Sequence, residues 1–321
     1  MANISLGADD ARVIDWLLED PDPSLACQVR RDLMGEPESA LLRPRSRIGN
    51  TGWASDLMGR RRPDGHWGNG IYNPKWTCTH YALYELVQLE MPRDNAACRE
   101  SASLLLSYPT GRDGGVNYAK TVEYSDVCIN GMIISICSWF RLDGDSLQPL
   151  VDYLLDMKMA DGGWNCAYPS GPHHSSLHTT IAVIEGLAAF IESGVTYRQP
   201  AIRDAIAGGI EFILEHRLFR SDHTGEVIRD EFFKFPFPVR WKYDILRCLD
   251  LFRRIGVPYD ERMRDALDRI EASRRPNGRW KAASQPGATY FVQEKNGSDG
   301  RWNTLRALRT LGRYRFGRIE R

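Results

Sequence analysis

One glycine turn recurs along this chain at a near-constant interval, and that interval restricts the fold more than any other feature. Asp64-Gly65-His66-Trp67, Asp113-Gly114-Gly115-Val116, Asp161-Gly162-Gly163-Trp164 and Asn277-Gly278-Arg279-Trp280 are versions of one motif. The first three are spaced 49 and 48 residues apart, counted from 67 to 116 and from 116 to 164. Each of those three leads, after a short loop, to a helix start: Trp76-Thr77-Cys78-Thr79-His80, Asp126-Val127-Cys128 and Leu177-His178-Thr179-Thr180. Cys78, Cys128 and His178 fall 50 residues apart. Two later helix starts are read at Arg240-Trp241-Lys242-Tyr243 and Arg301-Trp302-Asn303-Thr304. A period of this length with two helices per unit means stacked helical hairpins, since a lone hairpin cannot bury its own apolar face. The length accommodates about twelve helices of ordinary size. Six hairpins close into a ring, so the expected fold is all-α, an (α/α)6 toroid. It forms a single domain over 1–321, with recognisable repeats over about 60–312. The turn sets an aromatic residue at the hairpin corner, and equivalent helix starts gather at one mouth of the ring.

The chemistry concentrates between Ser125 and Leu187. Asp126 and Cys128 open one apolar run, Ile129 to Phe140, and His178 opens another, Ile181 to Ile191. A carboxylate, a thiolate and an imidazole at register-matched helix starts make a three-ligand zinc set with the fourth position open. The ordinary roles of these residues are an Asp N-cap, a buried thiol and a packed imidazole. Cys78 and His80 hold the matching place one repeat earlier, as a further ligand, a proton shuttle or ring wall. His173 and His174, in the loop before His178, are alternative ligands, or exposed loop histidines. Trp76, Trp241, Tyr243 and Trp302 recur at helix starts, either facing a cavity where they attract a cation or packing the ring. Arg217, Arg220, Arg240 and Lys242 read as an anion clamp at the cavity mouth, or as cations answering a helix C-terminus. Tyr243 and Asp244 join Asp126 as candidate catalytic groups, Asp244 as a general acid or a surface charge.

Lys plus Arg and Asp plus Glu number 42 each, so net charge is zero and nothing points to nucleic acid or an anionic membrane surface. No apolar run approaches a membrane span, and no signal peptide is read at Met1 to Ser5. The seven scattered cysteines fit reduced thiols, hence a cytoplasmic location. Strands are not expected, because no sustained period-two alternation occurs. Residues 9–34 read as a helical pair, broken at Asp20-Pro21-Asp22-Pro23 and resumed with Ser24 as N-cap. A less regular basic stretch then runs to Arg60-Arg61-Arg62.

The glycine turn with its aromatic, the short loop and the Thr/His-bearing helix start resemble the repeat shared by squalene and terpenoid cyclases and the β subunits of protein prenyltransferases. The resemblance implies the α/α toroid. Asp126-Val127-Cys128 and His178-Thr179, with the Asp161-Gly162-Gly163-Trp164 turn between them, resemble the prenyltransferase zinc arrangement, which implies zinc on Asp126, Cys128 and His178. In that family, basic residues three and six positions before the zinc Asp and a Tyr after the Cys hold the prenyl diphosphate. Here Lys120 fills the outer basic position, while Glu123 and Ile129 stand at the other two. An acidic group beside a diphosphate is unfavourable, so prenyl transfer to peptide thiols is expected to be poor. The family also uses a separate α subunit; a partner subunit is unknown here. The Asp-x-Asp-Asp acid motif of the cyclases is absent from the sequence.

The expected function is a zinc-dependent enzyme acting on an apolar small molecule, an isoprenoid being the first candidate, with zinc activating a thiolate or polarising an oxygen. One alternative is metal-free cyclase chemistry with Asp126 as general acid. The other is a non-catalytic lipid-binding toroid with structural zinc.

Overall fold

The structure is a computed structural model that describes residues 8–19, 21–119 and 121–315. Its first part holds α1 (Ala8–Leu17), α2 (Pro23–Asp32), α3 (Glu38–Arg47) and α4 (Gly52–Met58). Then come α5 (Thr79–Gln88), α6 (Ala96–Leu106), α7 (Val127–Trp139), α8 (Gln148–Asp156), α9 (Leu177–Glu192) and α10 (Gln199–Glu215). The chain ends with α11 (Ile245–Arg254), α12 (Arg264–Ala272) and α13 (Arg301–Tyr314). The strands described are one short antiparallel pair, β1 (Trp280–Lys281) and β2 (Asp299–Gly300). The chain is therefore mostly helical, as the repeat predicts.

Each glycine corner is built from the same bonds. Gly65, Gly114, Gly162 and Gly278 have φ of +85°, +89°, +93° and +80°, the left-handed region that glycine enters without a Cβ penalty. Trp67, Trp164 and Trp280 are buried behind three of them. Each indole N–H donates to a carbonyl ten residues back, Leu57, Leu154 and Ile270, at 2.7, 2.7 and 2.8 Å. Each backbone N–H of these tryptophans donates at 3.0 Å to a threonine Oγ1 in the next long helix: Thr79, Thr180 and Thr304. The second corner carries Val116, and there Asn130 replaces the threonine. Its Oδ1 accepts from the Val116 N–H at 2.8 Å and its Nδ2 donates to the Val116 carbonyl at 3.0 Å. Turn and helix start recur together because they are hydrogen-bonded to each other.

α7 and α9 are apolar on nearly every face and lie buried, as helices without a polar side must. They cross where neither has a side chain. A Cβ on Gly186 would lie 2.2 Å from the Gly131 carbonyl oxygen, and one on Gly131 would lie 2.6 Å from that of Ala182. Around them α5 packs on α7, α11 on α13, and α13 on α2. Arg247 of α11 reaches Glu185 of α9 at 2.5 Å. The buried apolar residues form one cluster that runs from Val13 to Tyr314.

Several local expectations are corrected. Arg240 to Tyr243 are not a helix start: they are irregular chain, and α11 begins at Ile245 behind the N-cap Asp244, whose Oδ1 accepts from the Arg247 N–H at 2.7 Å. Asp22 rather than Ser24 caps α2, accepting from the Ser24 N–H at 2.8 Å and also from the Trp53 N–H at 2.7 Å. The basic stretch before residue 62 folds as α3 and α4, its irregular pattern reflecting helices that bury little; α3 buries Leu41 alone.

Gly186→Ala should destabilise the protein by about 3 kcal/mol, because the clash is with backbone and not with a movable side chain. Urea denaturation checks this, with Gly194→Ala as the comparison. Gly194, unlike Gly186, has a positive φ, and nothing lies within 4 Å of its Cβ direction, so its cost is conformational alone.

Candidate functional site

A cavity of about 1030 Å³ lies beside the starts of α9 and α11 and brings together His178, Trp241, Lys242 and Tyr243 from the expected set. Its other walls are apolar and basic. Phe233, Phe235 and Trp280 supply aromatic surface, and Arg229, Lys234 and Lys281 supply positive charge against the single carboxylate of Glu231. Arg229, Lys234, Lys242 and Lys281 make no salt bridge among the described residues, so their charge is available. Arg275, also in the wall, is spent on Asp299 at 2.6 Å.

His178 is fixed by its surroundings. Its Nδ1 accepts from the Tyr243 backbone N–H at 2.8 Å, and its ring meets Phe232 and Trp241 edge-on with centroids 5.5 and 5.2 Å apart. Burial, then the charges of Arg229, Arg247 and Lys242, push the imidazole down to about 4. At neutral pH the ring is uncharged, and because an amide N–H occupies Nδ1 its proton sits on Nε2. Two more donors stand in the same wall. The Trp241 indole N–H and the Gln285 side-chain amide are buried and have no acceptor among the described residues. Buried donors without partners are rare and ask for an explanation.

The zinc set does not fit this arrangement. A zinc-bound imidazole uses one nitrogen for the metal and donates the proton on the other. Here Nδ1 receives a donor, which leaves no free lone pair at Nε2. Cys128 and Asp126 are not in the wall of the His178 cavity. Cys128 faces Cys166 instead: its N–H donates to the Cys166 Sγ at 3.3 Å, and Thr179 Oγ1 donates to the same sulfur at 3.4 Å. Asp126 is the N-cap of α7 but makes no side-chain capping bond. Partial desolvation raises its carboxyl, opposed by nearby Lys75. Among the described residues no group of three or more His, Cys, Asp or Glu side chains converges as metal ligands do.

The remaining candidates are dispersed. Trp76 lies under the Arg240 guanidinium at 4.5 Å and the Lys75 ammonium at 5.0 Å. Gly287 closes over it so tightly that a Cβ would fall 2.3 Å from Trp76 Cδ1. Arg240 is buried and donates to the Pro286 and Ala288 carbonyls, both at 2.8 Å, so it holds that loop. Tyr243 donates its hydroxyl to the Leu218 carbonyl at 2.7 Å, and Asp244 is a buried cap; both are structural in this arrangement. Arg220 pairs with Asp265 at 3.2 Å and Arg217 is exposed; neither lines the cavity. Lys120 lies outside the described residues. Glu123 is exposed beside Arg112 at 3.7 Å, and Ile129 is buried. His173 and His174 are exposed.

His80 is fully buried among Tyr72, Tyr81 and Tyr118, with neither ring nitrogen bonded, and burial pushes it down to about 3. Lys75, Arg229, Lys234 and Gln285 were not singled out by sequence reasoning. Lys75 immediately precedes Trp76, a signal that was there to read; the other three lie in irregular segments with no repeat partner.

A second cavity of about 430 Å³ lies farther along the same helices, and α2, α5, α7, α9, α11 and α13 all line it. Trp302 belongs here, stacked on Phe237 with centroids 4.4 Å apart. At its floor Arg247 donates to Glu185 through Nε and Nη2, at 2.9 and 2.5 Å, while Tyr84 donates to the same carboxylate at 2.7 Å. The segment 235–243 is a shared wall: Phe237 and Val239 face this cavity, Phe235 and Trp241 the other. Among the described residues no helix is long and apolar enough to cross a membrane.

Compared with protein-family models and with curated proteins, the chain matches none.

His80→Phe should leave stability at pH 7 unchanged or improved, since it removes two unbonded buried nitrogens from an aromatic nest. The folded value of about 3 lies below the ordinary value of 6.5. The unfolded chain therefore binds the proton first, and this contribution to stability is present above pH 6.5 and is lost as pH falls toward 3. Urea midpoints taken between pH 7 and pH 4 should fall less steeply in the variant than in the wild type.

Proposed function

We propose that the six hairpins form an α/α toroid and that the chain is an enzyme of prenyltransferase or terpene-cyclase type, acting on an apolar, isoprenoid-like small molecule with an oxygen-rich head. The observation that carries this reading is the His178 cavity. His178, whose protonated Nε2 makes no hydrogen bond among the described residues, and Trp241 and Gln285, each with a buried donor that has no partner among them, line an aromatic cavity rimmed by unpaired cations. Such a wall complements acceptor oxygens at one end of a ligand and hydrocarbon along the rest. The donors, fixed before the ligand arrives, would stabilise negative charge developing on the head. The faces of Trp241 and Trp280 would stabilise positive charge developing in the body. The toroid is supported by the six helices that share the second cavity and by the ion pairs that join α9 to α11, α11 to α13 and α13 to α2. Seven unpaired thiols suit the reducing cytoplasm, where we place the reaction.

A farnesyl-type alcohol or phosphate should quench tryptophan fluorescence saturably in the wild type. Trp241→Phe should lose much of the quench, and His178→Ala should bind about tenfold more weakly, the value of one good hydrogen bond to a polar head. Absence of saturable quenching in the wild type would sink the reading.

Zinc on Asp126, Cys128 and His178 is the second reading. The contact of Cys128 with Cys166, close to Asp126, favours it, because it gathers two sulfurs and a carboxylate in one neighbourhood. It requires the His178 ring to give up the Tyr243 amide. Elemental analysis of the purified protein decides: one equivalent of zinc, lost in both Cys128→Ala and His178→Ala, supports this set, and a full equivalent retained in either variant removes that residue from it.

A further inference from the structure

The second cavity holds more positive charge than its own carboxylates answer. Most of its arginines are paired: Arg31 with Glu90 at 2.7 Å, Arg247 with Glu185 at 2.5 Å, Arg253 with Asp250 at 3.1 Å, and Arg309 with Asp250 and Asp32 at 2.5 and 2.8 Å. Arg306 is the buried exception. It is 3% exposed; among the described residues its one hydrogen bond is to the Asn303 side chain at 3.2 Å, and its nearest carboxylate, Asp244, is 3.9 Å away. That carboxylate is already engaged as the cap of α11. The charges of Asp244 and Asp250 act on Arg306 from a distance, and Arg309 and Arg247 flank it with like charge.

The usual purpose of arginines at such a place is to answer helix C-termini, and Arg253 and Arg254 do this in the last turn of α11. Arg306 sits in the middle of α13, where there is no helix end to answer. A buried guanidinium without a close anion is costly, and the cost falls when a counter-charge arrives. Arg93, at the cavity rim, has no carboxylate partner among the described residues and lies on the Trp139 ring at 4.3 Å.

We propose that this second cavity is a binding site for a small oxyanion of the phosphate class, with Arg306 as its principal ligand. The volume of about 430 Å³ admits a phosphate or a small phosphate ester, and the arginine and carboxylate lining disfavours a long hydrocarbon. Planar guanidinium donors match two oxygens of such a group at once. The site is separate from the His178 cavity and does not depend on the reading given for that cavity.

Equilibrium dialysis with radiolabelled inorganic phosphate, at ionic strength held constant with chloride, tests it. The wild type should bind phosphate saturably. Arg306→Gln should lose one site or weaken it about tenfold, the worth of a charge-assisted bond. Arg306→Lys, which keeps the charge, should retain part of the affinity. Lys242→Gln, in the other cavity, should leave this site intact. Circular dichroism confirms that each variant is folded. Saturable phosphate binding absent from the wild type, or present at full strength in folded Arg306→Gln, would overturn the proposal. A failure here leaves the fluorescence experiment on the His178 cavity unaffected, and the reverse also holds.

Discussion

Arg309 holds three helices at once. Its Nε and Nη2 donate to both oxygens of Asp250 on α11, at 2.7 and 2.5 Å, and its Nη1 donates to Gln28 and Asp32 on α2, at 2.9 and 2.8 Å. The last helix is thereby fixed to the second, 277 residues away in sequence. The charges holding it are out of water, so neither partner can be left alone without a penalty on the order of 3–5 kcal/mol. The same economy applies at Arg247, which joins α11 to Glu185 of α9 and to Tyr84 of α5. Apolar burial condenses the helices, but it is non-directional. These buried pairs, each with a fixed fork geometry, select one arrangement of the helices around the second cavity.

The repeat made the helical class legible because its parts are covalently spaced and physically bonded: a glycine turn, a buried indole and a threonine or asparagine at the next helix. The start of α7 at Asp126-Val127 and of α13 at Arg301 followed from it. The start of α11 did not, because Trp241 and Tyr243 look like their equivalents in other repeats while serving an irregular segment. Which side chains meet was less legible. Asp126, Cys128 and His178 share a register, but register sets height along a helix bundle and not direction. His178 turns toward Tyr243 because a backbone N–H there lacks any other acceptor, a fact of tertiary geometry that leaves no mark in sequence. The second cavity was invisible for a related reason. Its charged residues come from α2, α9, α11 and α13 and from the turn after α5, a few from each, and each alone reads as a solvated face.

The two cavities along α9 and α11 are opposite in character. One combines aromatic faces with unpaired lysines and donors, the other is lined by arginines and carboxylates in close pairs. The difference follows from position along the helices. At the starts of α9 and α11 the wall is built by irregular chain, which contributes backbone, lysines and large aromatics. Farther along, the wall is mostly helix side chains, and long arginines are what can reach across from one helix to the next.

The segment between those cavities has the dihedral angles of a loop and the bonding of a core element. The Phe235 carbonyl accepts from Asn303, the Val239 N–H and carbonyl are both met by Gln88, the Arg240 and Lys242 carbonyls accept from Arg247, and the Tyr243 N–H is held by His178. Side chains from α13, α5, α11 and α9 thus do what a sheet neighbour does elsewhere. None of these partners is supplied by the segment's own sequence neighbourhood except Arg247. The segment therefore has no shape of its own to adopt early, and it settles only after distant helices have docked. Its amides, though they belong to no helix or strand, should exchange with solvent only when the surrounding helices separate, so a reader of exchange data would class it with the slowest-opening part of the molecule.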